Sequence, residues 1–111
     1  LTSATAQLET KDSREGTVTV VVTLVDKTNW SFGVLLDTHS GELTADMTQA
    51  AALVSANGKE YKPIRWDGDP PGGHHRSGVL VFGEVIPREE SAILTVRQVG
   101  GVDERNFEWD N

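Results

Sequence analysis

Three histidines of this 111-residue chain lie in turn-rich segments, each close to aspartates, and these side chains could bind a metal ion. The candidate ligands are His39, His74, His75, Asp37, Asp67 and Asp69. Imidazole nitrogen together with carboxylate oxygen suits zinc, copper(II) or nickel, because these borderline cations accept both kinds of donor. The sequence therefore predicts a metal or small-ligand site, with zinc or copper as the expected ion.

Other interpretations of these segments stay open. The histidines lack the fixed spacing of a motif such as His-Glu-x-x-His, and they could instead face solvent or hydrogen-bond to the backbone of an ordered loop. Asp67-Gly68-Asp69 could begin a calcium loop, but Pro70 and Pro71 follow it, with no bidentate glutamate at the required distance. We interpret it as an acidic turn. Trp66 is either a stacking platform for a sugar or peptide or, as we favour, an inward residue of a strand.

Catalytic arrangements are missing from the sequence. The chain has no cysteine, so a thiolate nucleophile is excluded. Ser40 adjoins His39, but adjacent side chains rarely face each other, and no Gly-x-Ser-x-Gly elbow is present. Gly72-Gly73 and Gly100-Gly101 lack the lysine of a phosphate-binding loop. We therefore do not expect an enzyme.

Charge and hydrophobicity exclude two further classes of partner. The net charge is −7, whereas binding to a phosphate backbone needs a concentrated basic face. The longest apolar run, residues 18–25, is interrupted by Thr19 and Thr23 and falls far short of the roughly 20 residues of a membrane-spanning helix. We expect neither nucleic-acid binding nor a membrane span.

Period-two alternation of apolar and polar residues predicts an all-β chain. The predicted strands are residues 17–25, 30–36, 52–56, 60–64, 78–82, 92–99 and 105–109, with an inward face that includes Val20, Val22, Leu24, Trp30, Phe32, Val34, Leu53, Leu80, Phe82, Leu94, Val96 and Phe107. Seven or eight short strands separated by turns are typical of a sandwich or barrel. We predict one domain over residues 1–111.

Local sequence signals predict the structure of the segments that connect or precede these strands. Helical spacing predicts a short helix within residues 43–51, capped by Ser40 or Thr44. Asn57-Gly58 predicts a type I′ hairpin turn. Residues 65–77 are predicted to form a loop, residues 5–10 an edge strand and residues 11–16 a flexible turn. We expect the edge strand to pack on its own sheet, with Ala6 and Leu8 buried in a monomer, although it could add to a neighbour's sheet edge.

Several of these segments together resemble small immunoglobulin-like β-sandwich domains of exported bacterial proteins. The resemblance rests on the threonine-valine strand 17–25, Trp30-x-Phe32, the Asn57-Gly58 hairpin, Gly78 to Phe82 and Phe107-x-Trp109. The Cys-Trp-Cys signature of antibody domains is absent from the sequence. The resemblance implies an immunoglobulin-like antiparallel sandwich and a binding or structural role.

The resemblance also implies an arrangement for the candidate ligands. If strands 30–36 and 78–82 are the third and sixth of such a sandwich, they pair antiparallel, which brings His39 near His74 and His75 at one pole. The function we expect is an extracytoplasmic binding module that holds a metal ion or small ligand there. The alternative is a structural or protein-interaction domain of a larger surface protein or filamentous assembly, without a metal. An acidic surface, a threonine-rich strand and small residues at the start of the chain favour an exported protein.

Overall fold

A computed structural model describes residues 9–110 of the chain. Over this range, nine strands and one short helix follow one another. The elements are β1 (Thr10–Ser13), β2 (Val18–Asp26), β3 (Ser31–Thr38), α1 (Met47–Ala50), β4 (Ala51–Ser55), β5 (Glu60–Tyr61), β6 (Arg65–Gly68), β7 (His75–Val81), β8 (Ala92–Val99) and β9 (Val102–Trp109). The helix is too short to cross a membrane, and no other helix occurs in the described range.

The strands form two antiparallel sheets that enclose one hydrophobic core. The first sheet has the order β1-β2-β3-β7-β6, and the second has the order β5-β4-β8-β9. The predicted all-β sandwich is therefore confirmed. The nine strands of residues 9–110 exceed the predicted seven or eight, because β6 and the start of β7 lie in a segment that we expected to be a loop.

Alternation determines which face of each strand is buried. On β3, Phe32, Val34 and Leu36 are almost completely buried, whereas Leu35 between them is exposed. Of the residues predicted to be inward, all are buried except Leu24, which is partly buried and packs against the same core. Trp30 is fully buried, and its Nε1 donates a hydrogen bond to the carbonyl oxygen of Ile86 at 2.6 Å.

The helix is shorter than the sequence predicts. It covers only Met47–Ala50, and its N-cap is Asp46 rather than Ser40 or Thr44. The carboxylate of Asp46 accepts hydrogen bonds from the backbone and the hydroxyl of Thr48, which satisfies the first free N–H of the turn. Burial of Met47 and the immediate start of β4 at Ala51 explain why the helix stays a single turn.

The hairpin between β4 and β5 is present, but its turn is not of type I′. That turn requires positive φ at both central residues, and here Gly58 has φ 89° whereas Asn57 is not among the residues with positive φ. The N–H of Gly58 bonds to the carbonyl of Ser55, and the N–H of Ser55 bonds to the carbonyl of Lys59. Asn57 stabilises the turn through its side-chain oxygen, which accepts a hydrogen bond from the backbone N–H of Lys59.

Two predicted irregular segments contain strands. Residues 65–68 form β6, and β7 begins at His75, so the predicted loop 65–77 is reduced to residues 69–74. The predicted flexible turn 11–16 contains most of β1, in which Lys11 to Ser13 pair with Val20 to Val22 of β2. Much of the predicted edge strand 5–10, with Ala6 and Leu8, lies outside the described residues.

Candidate functional site

The pole of the sandwich that carries the histidines is built by the β3–β7 pair. These strands are antiparallel, as predicted, and their register places Asp37 opposite His75. Just beyond this pair, the backbone N–H of Thr38 donates to the carbonyl of His74 at 2.9 Å. The end of β3 and the beginning of β7 therefore lie together, and His39 follows directly after Thr38.

Asp37 and His75 are the two predicted ligands that contact each other. Asp37 Oδ1 lies 2.5 Å from His75 Nδ1, and both side chains are more than half exposed. The hydrogen bond and the charge of Asp37 raise the pKa of His75, with a smaller contribution from the charge of Asp69. The pair is thus a solvent-accessible carboxylate and imidazole whose contact favours the protonated ring.

The other candidate ligands have separate partners or face solvent. Asp67 pairs with Arg65 on the same strand, with Arg65 Nε 2.7 Å from Oδ2. Asp69 is attached to β7: its Oδ2 accepts from the backbone N–H of Ser77, and its own N–H donates to the carbonyl of Ser77. The side chains of His39 and His74 are exposed. Within residues 9–110, no group of three or more His, Asp or Glu side chains is arranged to hold a metal ion, and the metal site stays a prediction.

Arg76 is the residue of this pole that sequence reasoning missed. Its side chain is 1% exposed although it carries a full charge. Nη1 donates to the carbonyls of Leu43 and Ala45, and Nη2 donates to the carbonyl of Asp69. Burial lowers the pKa of Arg76, opposed by the charges of Asp69 and Asp46. The hydrogen bonds of the guanidinium therefore link three backbone carbonyls of neighbouring loops to β7.

The alternation of β7 contained a signal for this burial. His75, Ser77 and Val79 occupy one face, so Arg76 shares the other face with Gly78 and the buried Leu80. The charge of an arginine predicts that it faces solvent, whereas the position of Arg76 in the alternation predicts that it faces the interior. Buried arginines are tolerated where carbonyl oxygens accept their hydrogen bonds, as they do here.

Trp66 packs partly into the core, as favoured from the sequence, and it also reaches the same carbonyl as Arg76. The indole Nε1 donates to the carbonyl oxygen of Asp69 at 2.8 Å. The Arg76 guanidinium lies 5.7 Å from the centre of the Trp66 ring, a cation–π arrangement. The carbonyl of Asp69 thus receives two donors, one neutral and one cationic.

Comparison with known proteins identifies no relative. The chain matches no protein-family model, no characterised protein and no solved structure at a significant level.

A cavity of about 210 Å³ lies beside this pole, between the two sheets. Its walls include Leu36, Thr44, Arg76, Gln98 and Gly100. Its volume is below the roughly 300–1,000 Å³ of pockets that enclose drug-sized ligands. Asp37, His39, His74 and His75 do not line this cavity, so it is separate from the contact between Asp37 and His75.

Proposed function

We propose that this domain is an extracytoplasmic binding module whose ligand is a metal ion, zinc or copper, or another small group at the Asp37 and His75 pair. The observation that carries the proposal is the 2.5 Å contact between Asp37 Oδ1 and His75 Nδ1. His39 and His74 lie in the adjoining chain segments, and their exposed side chains would have to move toward His75 to supply further donors. The acidic surface and the threonine-rich β2 support export.

The contact prepares one nitrogen of His75 for coordination. When the ring is neutral and Nδ1 donates to Asp37, Nε2 carries the free lone pair. Histidines that bind metals commonly donate their other ring nitrogen to a carboxylate in this way, which fixes the tautomer and increases the basicity of the ligand. The side chain of His75 is 60% exposed, so an ion can reach Nε2 from solvent.

The surrounding charge favours cations. The chain carries 17 acidic and 10 basic residues, and the charge of Asp69 acts on the His75 ring together with that of Asp37. A proton competes with a metal for His75, because Asp37 raises the pKa of the ring. Binding should therefore strengthen as the pH rises, in the direction expected for any imidazole ligand.

Titration with zinc and copper(II) tests the proposal. We expect either metal to raise the melting temperature of the folded protein by mass action and to shift the His75 ring signals in NMR spectra. His75→Gln should abolish the rise in melting temperature, and Asp37→Asn should weaken binding about 10–100-fold, as loss of a carboxylate behind a metal-binding histidine does. Asp103→Asn, at an exposed position of the other sheet, is the matched control. An equal rise in melting temperature in the parent and in His75→Gln would refute this site.

We further propose that the sandwich is immunoglobulin-like. With β1 set aside, the sheets have the orders β2-β3-β7-β6 and β9-β8-β4-β5. These orders correspond to the ABED and GFC arrangements of immunoglobulin domains, with β5 as an additional strand beside C. In this correspondence β3 and β7 are the second and fifth strands, rather than the third and sixth that the sequence suggested.

A second candidate function is a structural or protein-interaction domain. The observation that favours it is the outer face of the first sheet, where Leu35 and Val25 are 42% and 48% exposed. Val21 lies opposite Leu35, so the apolar side chains are neighbours on one face. Leu35→Ser should then weaken capture of a protein partner and leave the metal response unchanged. A metal response that His75→Gln abolishes, with partner capture unaffected by Leu35→Ser, would favour the metal-binding function.

A further inference from the structure

The bond between Asp69 and Pro70 has a distinctive environment. It is the one Asp-Pro bond of the chain. Asp-Pro is the most easily hydrolysed peptide bond in acid, because the aspartate side chain can attack its own carbonyl and the proline nitrogen is a good leaving group once protonated. In this fold, the same carbonyl oxygen accepts hydrogen bonds from Trp66 Nε1 at 2.8 Å and from Arg76 Nη2 at 3.2 Å.

We propose that the folded domain promotes its own cleavage between Asp69 and Pro70. Two donors directed at one carbonyl oxygen form an arrangement of the oxyanion-hole type, which stabilises the negative charge that develops when a nucleophile attacks. One donor is the cationic Arg76, whose side chain is 1% exposed and whose bond to this carbonyl is partly buried, whereas the bond from Trp66 is exposed to solvent. Each molecule is cleaved once, and no external substrate is required.

The nucleophile is the Asp69 carboxylate itself. Its Oδ2 accepts from the backbone N–H of Ser77, and the N–H of Asp69 donates to the carbonyl of Ser77. These two bonds attach the residue to β7 and leave Oδ1 for attack. Because these bonds already hold Asp69 in place before the reaction, less entropy is lost on reaching the transition state.

The chemical steps balance with water as the only co-reactant. Asp69 Oδ1 forms a bond to the backbone carbonyl carbon of Asp69, and the resulting tetrahedral oxyanion is held by Trp66 and Arg76. Solvent acid then protonates the Pro70 nitrogen, the bond from that carbon to the nitrogen breaks, and the nitrogen leaves with the electron pair as a neutral secondary amine while the carbonyl re-forms. Water adds to the cyclic anhydride and opens it, which yields two carboxyl groups on Asp69 and a free secondary amine on Pro70.

The packing around Trp66 supports a fixed donor position. Gly68 and Gly78 face each other in the register of β6 and β7. A Cβ atom on Gly78 would lie 2.6 Å from Cζ2 of Trp66, so the missing side chain is what admits the indole. The ring is therefore held between the β7 backbone and Arg76, with its Nε1 at the Asp69 carbonyl.

The two products would stay associated after cleavage. Residues 1–69 contain β1 to β6, and residues 70–111 contain β7 to β9. The pairs β3–β7, β6–β7 and β4–β8 all join one fragment to the other. Detection therefore requires denaturing electrophoresis or intact-mass measurement.

The experiment compares cleavage of the folded chain with that of the same chain in denaturant, in the same mildly acidic buffer and with folding checked by circular dichroism. We expect fragments 1–69 and 70–111 to form faster in the folded chain. Trp66→Phe keeps an aromatic ring but removes the donor, and it should slow cleavage at least about tenfold, since loss of one oxyanion donor typically costs about 10²–10³ in rate. Asp69→Asn should prevent cleavage, and Asp103→Asn should cleave at the parental rate.

Three results would overturn the proposal. Equal or slower cleavage in the folded chain would show ordinary acid lability or protection by the fold. An unchanged rate in folded Trp66→Phe would remove the role of the carbonyl donors. Fragments with ends other than Asp69 and Pro70 would place the reaction elsewhere. If Trp66→Phe does not fold, the comparison of folded and denatured parent chain still decides.

Discussion

Gly68 and Gly78 lie opposite each other in the β6–β7 pair, so closely that a Cβ atom on Gly68 would come within 2.4 Å of the Gly78 Cα. The indole of Trp66 covers this meeting point, within 2.6 Å of the place where a Cβ of Gly78 would lie. The absence of two side chains thus determines where Trp66 sits. That position in turn brings its Nε1 to the carbonyl of Asp69.

The first prediction follows from this crowding. We expect Gly78→Ala to destabilise the domain by about 1–3 kcal/mol, as overpacking of a filled site does. Gly33→Ala is the matched control, because Gly33 is the strand partner of Val79 in the same sheet and its Cβ would meet only ordinary contacts from 3.6 Å. There the substitution should be neutral or stabilising, since glycine within a strand costs about 0.5–1 kcal/mol relative to alanine. Urea denaturation measures both, and equal effects would contradict the packing argument.

The second prediction concerns the pH dependence of the Asp37 and His75 contact. Asp37 raises the pKa of His75 above the ordinary value of 6.5. Because the folded-state pKa is raised, the stabilisation from this contact is fully present below pH 6.5 and is lost as the pH rises through the folded-state pKa. Asp37→Asn should therefore reduce stability in mildly acidic buffer and have less effect in alkaline buffer.

An NMR titration checks the same relationship directly. The pKa of His75 should fall in Asp37→Asn, because the substitution removes the charge that raises it. Denaturant unfolding at several pH values supplies the stability measurement. A His75 pKa that is the same in both proteins would show that the contact with Asp37 does not persist in solution.

The sequence predicts the fold well where burial follows alternation. Phe32 and Val34 are inward because apolar residues alternate with others along β3, and their burial was predicted correctly. The antiparallel pairing of β3 with β7, which places Asp37 beside His75, was also predicted. The burial rests on a regularity that needs no knowledge of tertiary contacts, whereas the strand pairing was inferred from the resemblance to immunoglobulin-like domains.

The rest depends on contacts that a linear pattern does not display. β6 has polar residues, ends in glycine and presents only Trp66 to the core, so it has the composition of a loop. Arg76 occupies an inward position because carbonyls from distant loops accept its hydrogen bonds, and their convergence is a property of the folded chain. The donors on the Asp69 carbonyl were missed for the same reason.

The third prediction concerns the second buried arginine. Arg105 is 2% exposed, and it donates to the carbonyls of Ser13, Glu15 and Val99, which links β9 to the loop after β1. Arg105→Met keeps much of the apolar volume but removes the donor from the buried carbonyl of Val99 and from the partly buried carbonyls of Ser13 and Glu15, at about 1–3 kcal/mol for each group that finds no water. Arg88→Met, at an exposed turn position, is the control.

Thermal unfolding of both variants checks this assignment. Arg105→Met should melt well below the parent, whereas Arg88→Met should remain within about 0.5 kcal/mol of it, as surface substitutions usually do. A negligible effect of Arg105→Met would mean that water satisfies the carbonyls and that the β1 to β9 link is dispensable.

The fourth prediction tests the inward face of β3. Phe32 is fully buried, and its ring contacts the rings of Trp30, Phe82 and Trp109, with centroids 5.6 to 6.3 Å away. Phe32→Ala removes the centre of this cluster and should cost about 3–5 kcal/mol through lost burial and a residual cavity. Leu94→Ala, on the opposite sheet, should cost about 2–5 kcal/mol for the same reason.

Leu35→Ala on the outer face of β3 is the control, since Leu35 is 42% exposed and should change stability by about 0.5 kcal/mol or less. Denaturant unfolding measures all three, and losses below about 1 kcal/mol at both Phe32 and Leu94 would contradict the inward assignment, because a filled core cannot lose such side chains without leaving a void.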